Sequence, residues 1–134
     1  MEHLSSLYNK IIEKNIFLFD YRIPNSKGAT IETNKKYGIF IDYDKIDSLQ
    51  DEFRCVAHEY GHCISGATHK LTSKFDLIEK HEYRADKYAI LDLLPEALIL
   101  EAVSSGCNES WQIAEYLDMP QDFVEKAIHI YKGR

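Results

Sequence analysis

The hydrophobic pattern of the chain changes near Ser48, and this change is the feature that most restricts the fold. Before Ser48, short runs of β-branched and aromatic residues alternate with polar turns, which is typical of strands. After Ser48, apolar residues recur every three or four positions as far as the C-terminus, which predicts helices. A small sheet followed by a helical half is an α+β arrangement. We therefore predict an α+β fold.

The predicted elements begin with an N-terminal helix over residues 4–14. Three strands are expected to form a small, mainly antiparallel sheet, and they cover residues 16–23, 29–33 and 37–43. Ser48 or Asp47 can cap a helix that runs to about Ser65, where Gly66 is a plausible stop. Four more helices are predicted, over residues 75–94, 96–104, 110–117 and 120–131. We expect one domain, residues 1–134, with a core over 1–94 and a helical extension over 95–134.

Composition restricts the partners that the chain can bind. Sixteen basic and 22 acidic residues give a net charge of −6, so direct nucleic-acid binding is not expected. No secretory signal and no long apolar run is visible, so we expect no membrane association. The three cysteines lack CxxC spacing, which predicts reduced thiols and a cytoplasmic location. Each is interpreted mainly as a small buried residue, with metal ligation as the alternative.

The predicted helix before Gly66 carries the sequence "HEYGH", which places His58 and His62 four residues apart. Residues at this spacing project from one face of a helix, so both rings can reach one metal ion. Glu59 lies beside that face and could act as the general base of a hydrolysis. The alternative is a pair of exposed surface histidines, because an apolar stripe lies nearly opposite them. That stripe consists of Leu49, Phe53, Val56, Ala57, Tyr60 and Ile64.

The next predicted helix supplies a third ligand for such a metal. Glu82 and Asp86 fall within its apolar face, where carboxylates are costly unless they are paired or bind a metal. The alternative is that this part of the helix reaches solvent. Two imidazoles and one carboxylate suit Zn²⁺, and Asp86 could orient a ligand histidine by accepting its second N–H. Glu79, one turn earlier, would replace Glu82 as the ligand if the loop register differed.

At these residues the chain resembles the gluzincin metallopeptidases, and more closely the small ImmA/IrrE-type family. The resemblance includes the order of the predicted elements as well as "HEYGH". The segment "EYRADKYAI" over residues 82–90 is similar to a family pattern ExxAD/N-x-(F/Y)-A. The resemblance covers residues 4–94 well and the last forty residues loosely. A common family form has Leu or Phe where Tyr60 stands.

The resemblance implies a zincin-like fold and a zinc endopeptidase with one Zn²⁺ per chain. Its ligands would be His58, His62 and Glu82, and Glu59 would be the general base. Family members, often carried on phages or mobile elements, cleave partner transcriptional repressors of the helix-turn-helix type, so the implied partner is such a repressor. A non-catalytic zincin-fold module that binds and controls such a regulator is the alternative, although the presence of Glu59 favours an enzyme.

Two further features of the proposed reaction are left open by the sequence. The oxyanion of a hydrolysis needs a second donor, and His81, Tyr83 and His69 are the candidates. His81 is less suited to be a metal ligand, because it points about 100° away from Glu82 on a helix.

A substrate peptide is expected to bind in an extended form along the predicted strand over residues 37–43, which we call the peptide track.

The last forty residues contain a helix-turn-helix rhythm over residues 110–132. The second of these helices carries Asp122 and Glu125 but only one lysine, Lys126, before Lys132. Such a helix would repel phosphates, so we expect helical packing or substrate docking rather than DNA binding. Trp111 is predicted to be a core anchor, with an interface role as the alternative.

Overall fold

The computed structural model describes residues 2–66 and 75–133, with the backbone alone over 75–79. The chain forms α1 (Glu2–Glu13), β1 (Phe17–Asp20), β2 (Gly28–Thr33), β3 (Lys36–Ile41), a 3-10 turn (Tyr43–Lys45), α2 (Leu49–Ser65), α3 (Phe75–Leu93), α4 (Glu96–Ser104), α5 (Ser110–Leu117) and α6 (Gln121–Lys132). The predicted α+β class is confirmed, and the predicted helices agree closely with the observed ones. Among the described residues, no helix is long and apolar enough to cross a membrane.

The sheet is mixed, whereas the sequence predicted a mainly antiparallel one. Its order is β1-β3-β2, with β1 parallel to β3 and β2 antiparallel to β3. The connection from β1 to β2 crosses the end of β3, where the amide of Tyr21 donates to the carbonyl of Ile41 and that of Asp42 to the carbonyl of Lys27. Strand periodicity specifies which side chains share a face, but it does not specify strand order or direction.

The central position of β3 overturns the expected peptide track. Both edges of β3 are hydrogen-bonded to neighbouring strands, so no further strand can pair with it. β2 lies at the end of the sheet, and among the described residues no strand pairs with its outer edge beside α2. An added peptide strand would therefore pair with β2.

The core lies between α1, one face of the sheet and the helical half. Ile39 and Ile41 of β3 are fully buried on the side of the sheet that faces α2. The apolar stripe predicted on α2 is largely buried, because Phe53, Val56, Ala57 and Tyr60 have no exposed surface. Leu49 in the first turn is the exception and is exposed.

α2 has the predicted ends and packs unusually close to α3. The side chain of Ser48 accepts a hydrogen bond from the amide of Asp51, and Gly66 ends the helix with a φ of 69°. A Cβ built on Gly61 would overlap the backbone carbonyl of Ala85 in α3. The two helices can approach to this distance only because Gly61 has no side chain.

The C-terminal helices pack on the core but do not use the predicted anchor. α5 buries Ile113, Ala114 and Leu117, and α6 buries Phe123 and Val124 among other residues. Phe123 packs edge-to-face on Phe53 of α2, with ring centroids 5.2 Å apart. Trp111 is 51% exposed, so the prediction that it is a core anchor is wrong. Trp111 lies on the solvent-exposed side of α5, away from the side that packs on the core.

Candidate metal centre

Three side chains from α2 and α3 form a group that could hold a metal ion. The ligand atoms of His58, His62 and Glu82 all lie within 4.8 Å of one another. Nε2 of His62 lies 3.2 Å from Oε1 of Glu82, and Nε2 of His58 contacts the other carboxylate oxygen. His62 is buried and His58 is half-buried, so the alternative of two exposed surface histidines does not hold.

The close contact between the helices is what brings these side chains together. His58 and His62 stand one turn apart on α2, and Gly61 lies between them at the point where α3 passes. On α3, Glu82 and Asp86 are one turn apart, and Ala85 presents its backbone to Gly61. The sequence predicted the two helices and their facing residues, whereas their packing through Gly61 was not identified.

Asp86 orients the ring of His58. Nδ1 of His58 lies 2.7 Å from Oδ1 of Asp86, and Lys126 donates to Oδ2 of Asp86 over 3.1 Å. Burial would raise the pKa of Asp86, but the hydrogen bond from His58 and the charge of Lys126 lower that pKa below its usual value. An ionised carboxylate can only accept, so Nδ1 carries the hydrogen and Nε2 is directed toward Glu82.

In the absence of an ion, this group of charges holds a proton on His58. Burial lowers the pKa of His58, but the hydrogen bonds to Asp86 and Glu82 outweigh it and raise that pKa to about 10. Metal binding requires a neutral imidazole, so an ion at Nε2 takes the place of this proton. Two imidazole nitrogens and a single carboxylate match the three protein ligands of a catalytic zinc site, whereas closed structural sites use four.

Glu59 lies beside this group and does not belong to it. Glu59 is 7% exposed, and burial raises its pKa, while the charge of His58 and a hydrogen bond from Thr30 act in the opposite direction. Oγ1 of Thr30 donates to Oε1 of Glu59 over 2.8 Å. Thr30 belongs to β2 and was not identified in the sequence, where a threonine in a strand carries no specific signal.

The group opens into a cleft of about 720 Å³ between β2 and the helices. The lining residues outside the group are Ser26, Lys27, Gly28, Ala29, Thr30, Asp51, Arg54, Cys55, Glu59, Asp86, Ile90, Asp122, Phe123 and Lys126. The last three belong to α6, so the C-terminal extension forms one wall of the cleft. An ion pair joins that wall to α2, because Arg54 contacts Asp122 over 2.8 Å. Elsewhere in the lining, Lys27, just before β2, contacts Asp51 of α2 over 2.8 Å.

Of the candidate oxyanion donors, His81 and Tyr83 are not among the described residues that line this cleft. His81 and Tyr83 flank Glu82 on α3 and point to either side of it, and Tyr83 is 57% exposed. His69 lies outside the described residues, as does the side chain of Glu79. The structure therefore favours none of the three candidates as the donor.

The cysteines have no part in the ligand group. All three are free thiols, Cys63 is buried and Cys55 lines the cleft. Burial raises the pKa of Cys55 and that of Cys63 to about 12 in each case. Both are therefore thiols near neutral pH in the metal-free protein, and neither sulfur belongs to the ligand group.

Comparisons of the chain with protein-family models, with curated proteins and with solved structures find no match. Membership of the ImmA/IrrE-type family and a zincin-like fold therefore stay predictions from the resemblance. The interpretation of the site depends on its geometry and on the chemistry of its donors.

Proposed function

We propose that this protein is a zinc-dependent endopeptidase of zincin-like fold that cleaves a protein partner in the cytoplasm. The observation that supports the proposal most directly is the position of Glu59. Its buried carboxylate lines the same cleft as His58, His62 and Glu82, but it does not belong to the group that could bind the metal ion. A metal site that only stabilised the fold would not need a further carboxylate that lies beside the ion without binding it.

Each residue of the site has its own role in the proposed peptide hydrolysis. His58, His62 and Glu82 would hold the ion, which when bound supplies a Lewis acid and acidifies water. Glu59 accepts the proton of the attacking water and returns it to the leaving amine, and a carboxyl whose pKa is raised by burial is suited to both steps. Thr30 holds Oε1 of Glu59 in place, and this contact leaves Oε2 for the reaction.

The open edge of β2 supports a peptide as the substrate. Gly28, Ala29 and Thr30 line the cleft and belong to the strand with the open edge. An extended segment of a partner could pair with this edge by backbone hydrogen bonds, which fixes its position without requiring a particular sequence. Gly28 is tightly surrounded, since an added Cβ would lie 3.1 Å from both Cys55 and Glu59. β2 can lie this close to Glu59 only because residue 28 is a glycine.

The nature of the partner comes from the resemblance. A helix-turn-helix transcriptional repressor is the expected substrate, and its cleavage would relieve repression. If the protein is instead a non-catalytic module, it would bind the repressor and leave it intact. The two functions differ in one observable, which is whether the repressor is cut.

The first experiment measures metal content and cleavage on the same samples. Wild type, Glu82→Ala and Glu59→Gln are loaded with zinc, dialysed and analysed by elemental mass spectrometry, and each is then incubated with candidate helix-turn-helix repressors. We expect about one zinc per chain in wild type and in Glu59→Gln, loss of zinc in Glu82→Ala, and cleavage by wild type alone. The Glu59→Gln variant is the matched control, because it keeps the ligands and removes only the base.

Each part of the proposal can fail separately. A wild type that takes up no zinc when zinc is supplied would contradict the metal site. Zinc uptake with binding but no cutting of a repressor would contradict the endopeptidase and support the binding module. Equal cleavage by wild type and Glu59→Gln would contradict the role of Glu59.

A further inference from the structure

The side of the sheet that faces away from α2 carries large apolar side chains in the open. Phe17 and Phe19 of β1, with Tyr21 just beyond it, are 55%, 46% and 60% exposed. Ile31 of β2 is 54% exposed, and the partly exposed Phe40 of β3 lies between the two outer strands. We call these five residues the aromatic face.

The members of the aromatic face form one continuous surface. The rings of Phe19 and Phe40 stack with centroids 4.9 Å apart, Phe17 stacks on Phe19 at 6.5 Å, and Tyr21 meets Phe40 edge-on at 5.9 Å. Gly38 separates Phe17 from Ile31 in the strand register and carries no side chain to interrupt them. Monomeric proteins rarely leave large continuous apolar surfaces in water, and such surfaces commonly mark interfaces.

Opposite charges stand at the two ends of the aromatic face. Lys35 lies in the turn that joins β2 to β3, Lys36 is the first residue of β3, and both are exposed. At the other end of the sheet, Arg22 is shared by three carboxylates, those of Asp20, Asp42 and Asp44. Asp42 also contacts Lys45, and the carboxylate of Asp44 is 80% exposed. One end of the face is thus positive, and the other carries an excess of carboxylate.

We propose that the aromatic face is the interface of a symmetric dimer in which a second copy of this chain packs sheet against sheet. A twofold axis perpendicular to the strands places Lys35 and Lys36 of each copy opposite Asp44 of the other. A twofold axis along the strands would place like charges together, so the charges select the first arrangement. The two sheets would be aligned and about 10 Å apart.

The size of the aromatic face indicates a weak dimer. With about 200 Å² for each large side chain, the exposed fractions amount to roughly 400 Å² per copy. A standard interface buries about 800 Å² per partner, so this one lies below the usual range of stable complexes. We therefore expect weak association, with a dissociation constant on the order of tens of micromolar. The dimer would leave the cleft open, since Thr30 and Glu59 lie on the other side of the sheet. It is therefore independent of the proposed function.

Sedimentation equilibrium tests the dimer between about 1 and 200 µM protein, a range that spans the expected dissociation constant. We expect wild type to dimerise and Phe19→Glu to weaken the association at least 30-fold, because a charge would be buried among aromatic rings. Ile31→Glu should do the same from the neighbouring strand. Leu100→Glu is the matched control, since Leu100 is 57% exposed on α4 and does not belong to the face. Circular dichroism checks that each variant is folded.

A charge exchange tests the orientation of the two copies. Lys36→Glu and Asp44→Lys should each weaken the dimer about threefold, and the double variant should recover the wild-type affinity. A wild type that is monomeric up to about 200 µM overturns the proposal, as does a dimer that tolerates both Phe19→Glu and Ile31→Glu. A dimer that Phe19→Glu disrupts, but that the double charge variant does not restore, overturns the antiparallel arrangement.

Discussion

Nδ1 of His58 donates a hydrogen bond to Oδ1 of Asp86 over 2.7 Å, and this bond joins α2 to α3 directly behind the candidate metal centre. It fixes the tautomer of the ring and directs Nε2 toward Glu82 and His62. Lys126 of α6 holds the other oxygen of the same carboxylate over 3.1 Å. The helices α2, α3 and α6 thus meet at the side chain of Asp86, and the orientation of His58 depends on it.

Asp86→Asn should lower zinc affinity about 10- to 100-fold without unfolding the protein. The amide still fills the space but is a poorer acceptor, so the ring of His58 is less well oriented. Competition with a chromophoric chelator measures the affinity. Lys126→Gln is the control, because it removes the contact at Oδ2, is largely exposed and should change the affinity less than about threefold. Equal losses in both variants would contradict the assignment of the effect to the bond with His58.

In the metal-free protein, His58 should stay protonated well above neutral pH. Its pKa is raised from 6.5 to about 10, so the stability that it contributes is complete below pH 6.5 and is lost as the pH rises through about 10. Nuclear magnetic resonance of the imidazole ring, with a chelator present, measures this titration directly. Asp86→Asn and Glu82→Gln should each move the midpoint to lower pH. A wild-type midpoint below pH 7 would show that the two carboxylates do not hold the proton.

Local signals made much of α2 and of the ligand pair predictable. Ser48 and Gly66 define the ends of the helix through the conformation of a few residues, and His58 and His62 share a face because of helix geometry alone. Glu82 could be identified because a carboxylate within an apolar face needs a partner. Each of these inferences depends on residues within a single helix and at its ends.

The features that the sequence did not reveal depend on contacts between distant elements. The order of the strands, which makes β2 rather than β3 the edge, is determined by how the chain crosses the end of the sheet. Thr30 reaches Glu59 across 29 positions, and Lys126 reaches Asp86 across 40. The exposure of Trp111 follows from which side of α5 meets the core. Periodicity within one segment contains no information about such pairings.

Thr30→Val should change the pH dependence of cleavage while leaving the metal in place. Removing the hydroxyl deletes an interaction that lowers the pKa of Glu59 while the burial that raises this pKa remains, so the pKa rises further. The acid limb of kcat/KM should therefore move to higher pH, and kcat/KM should fall about fivefold on that limb, as expected for a hydrogen bond worth about 1 kcal/mol.

Thr30→Ser is the matched control for this change, because it keeps the hydroxyl and should keep the wild-type profile. Zinc content, measured on the same samples, should be equal in all three proteins. A Thr30→Val enzyme with the wild-type pH profile would show that the hydrogen bond to Glu59 has no role in the reaction.

Gly61→Ala tests whether the contact between α2 and α3 assembles the ligands. In an unobstructed helix interior this change would stabilise by about 1 kcal/mol, because alanine favours the helix. Here the added Cβ would overlap the carbonyl of Ala85, so we expect a loss of about 3 kcal/mol in the free energy of unfolding. Because α3 must move away, Glu82 leaves the two histidines and zinc affinity should fall as well. Chemical denaturation measures the loss of stability, and chelator competition measures the loss of zinc affinity.

Gly133→Ala is the control for this change. The nearest neighbours of its added Cβ would lie at 3.6 Å, so the free energy of unfolding should stay within about 0.5 kcal/mol of wild type. A Gly61→Ala protein as stable as wild type would contradict the close packing of these helices, and a destabilised one with unchanged zinc affinity would show that this packing does not position the ligands.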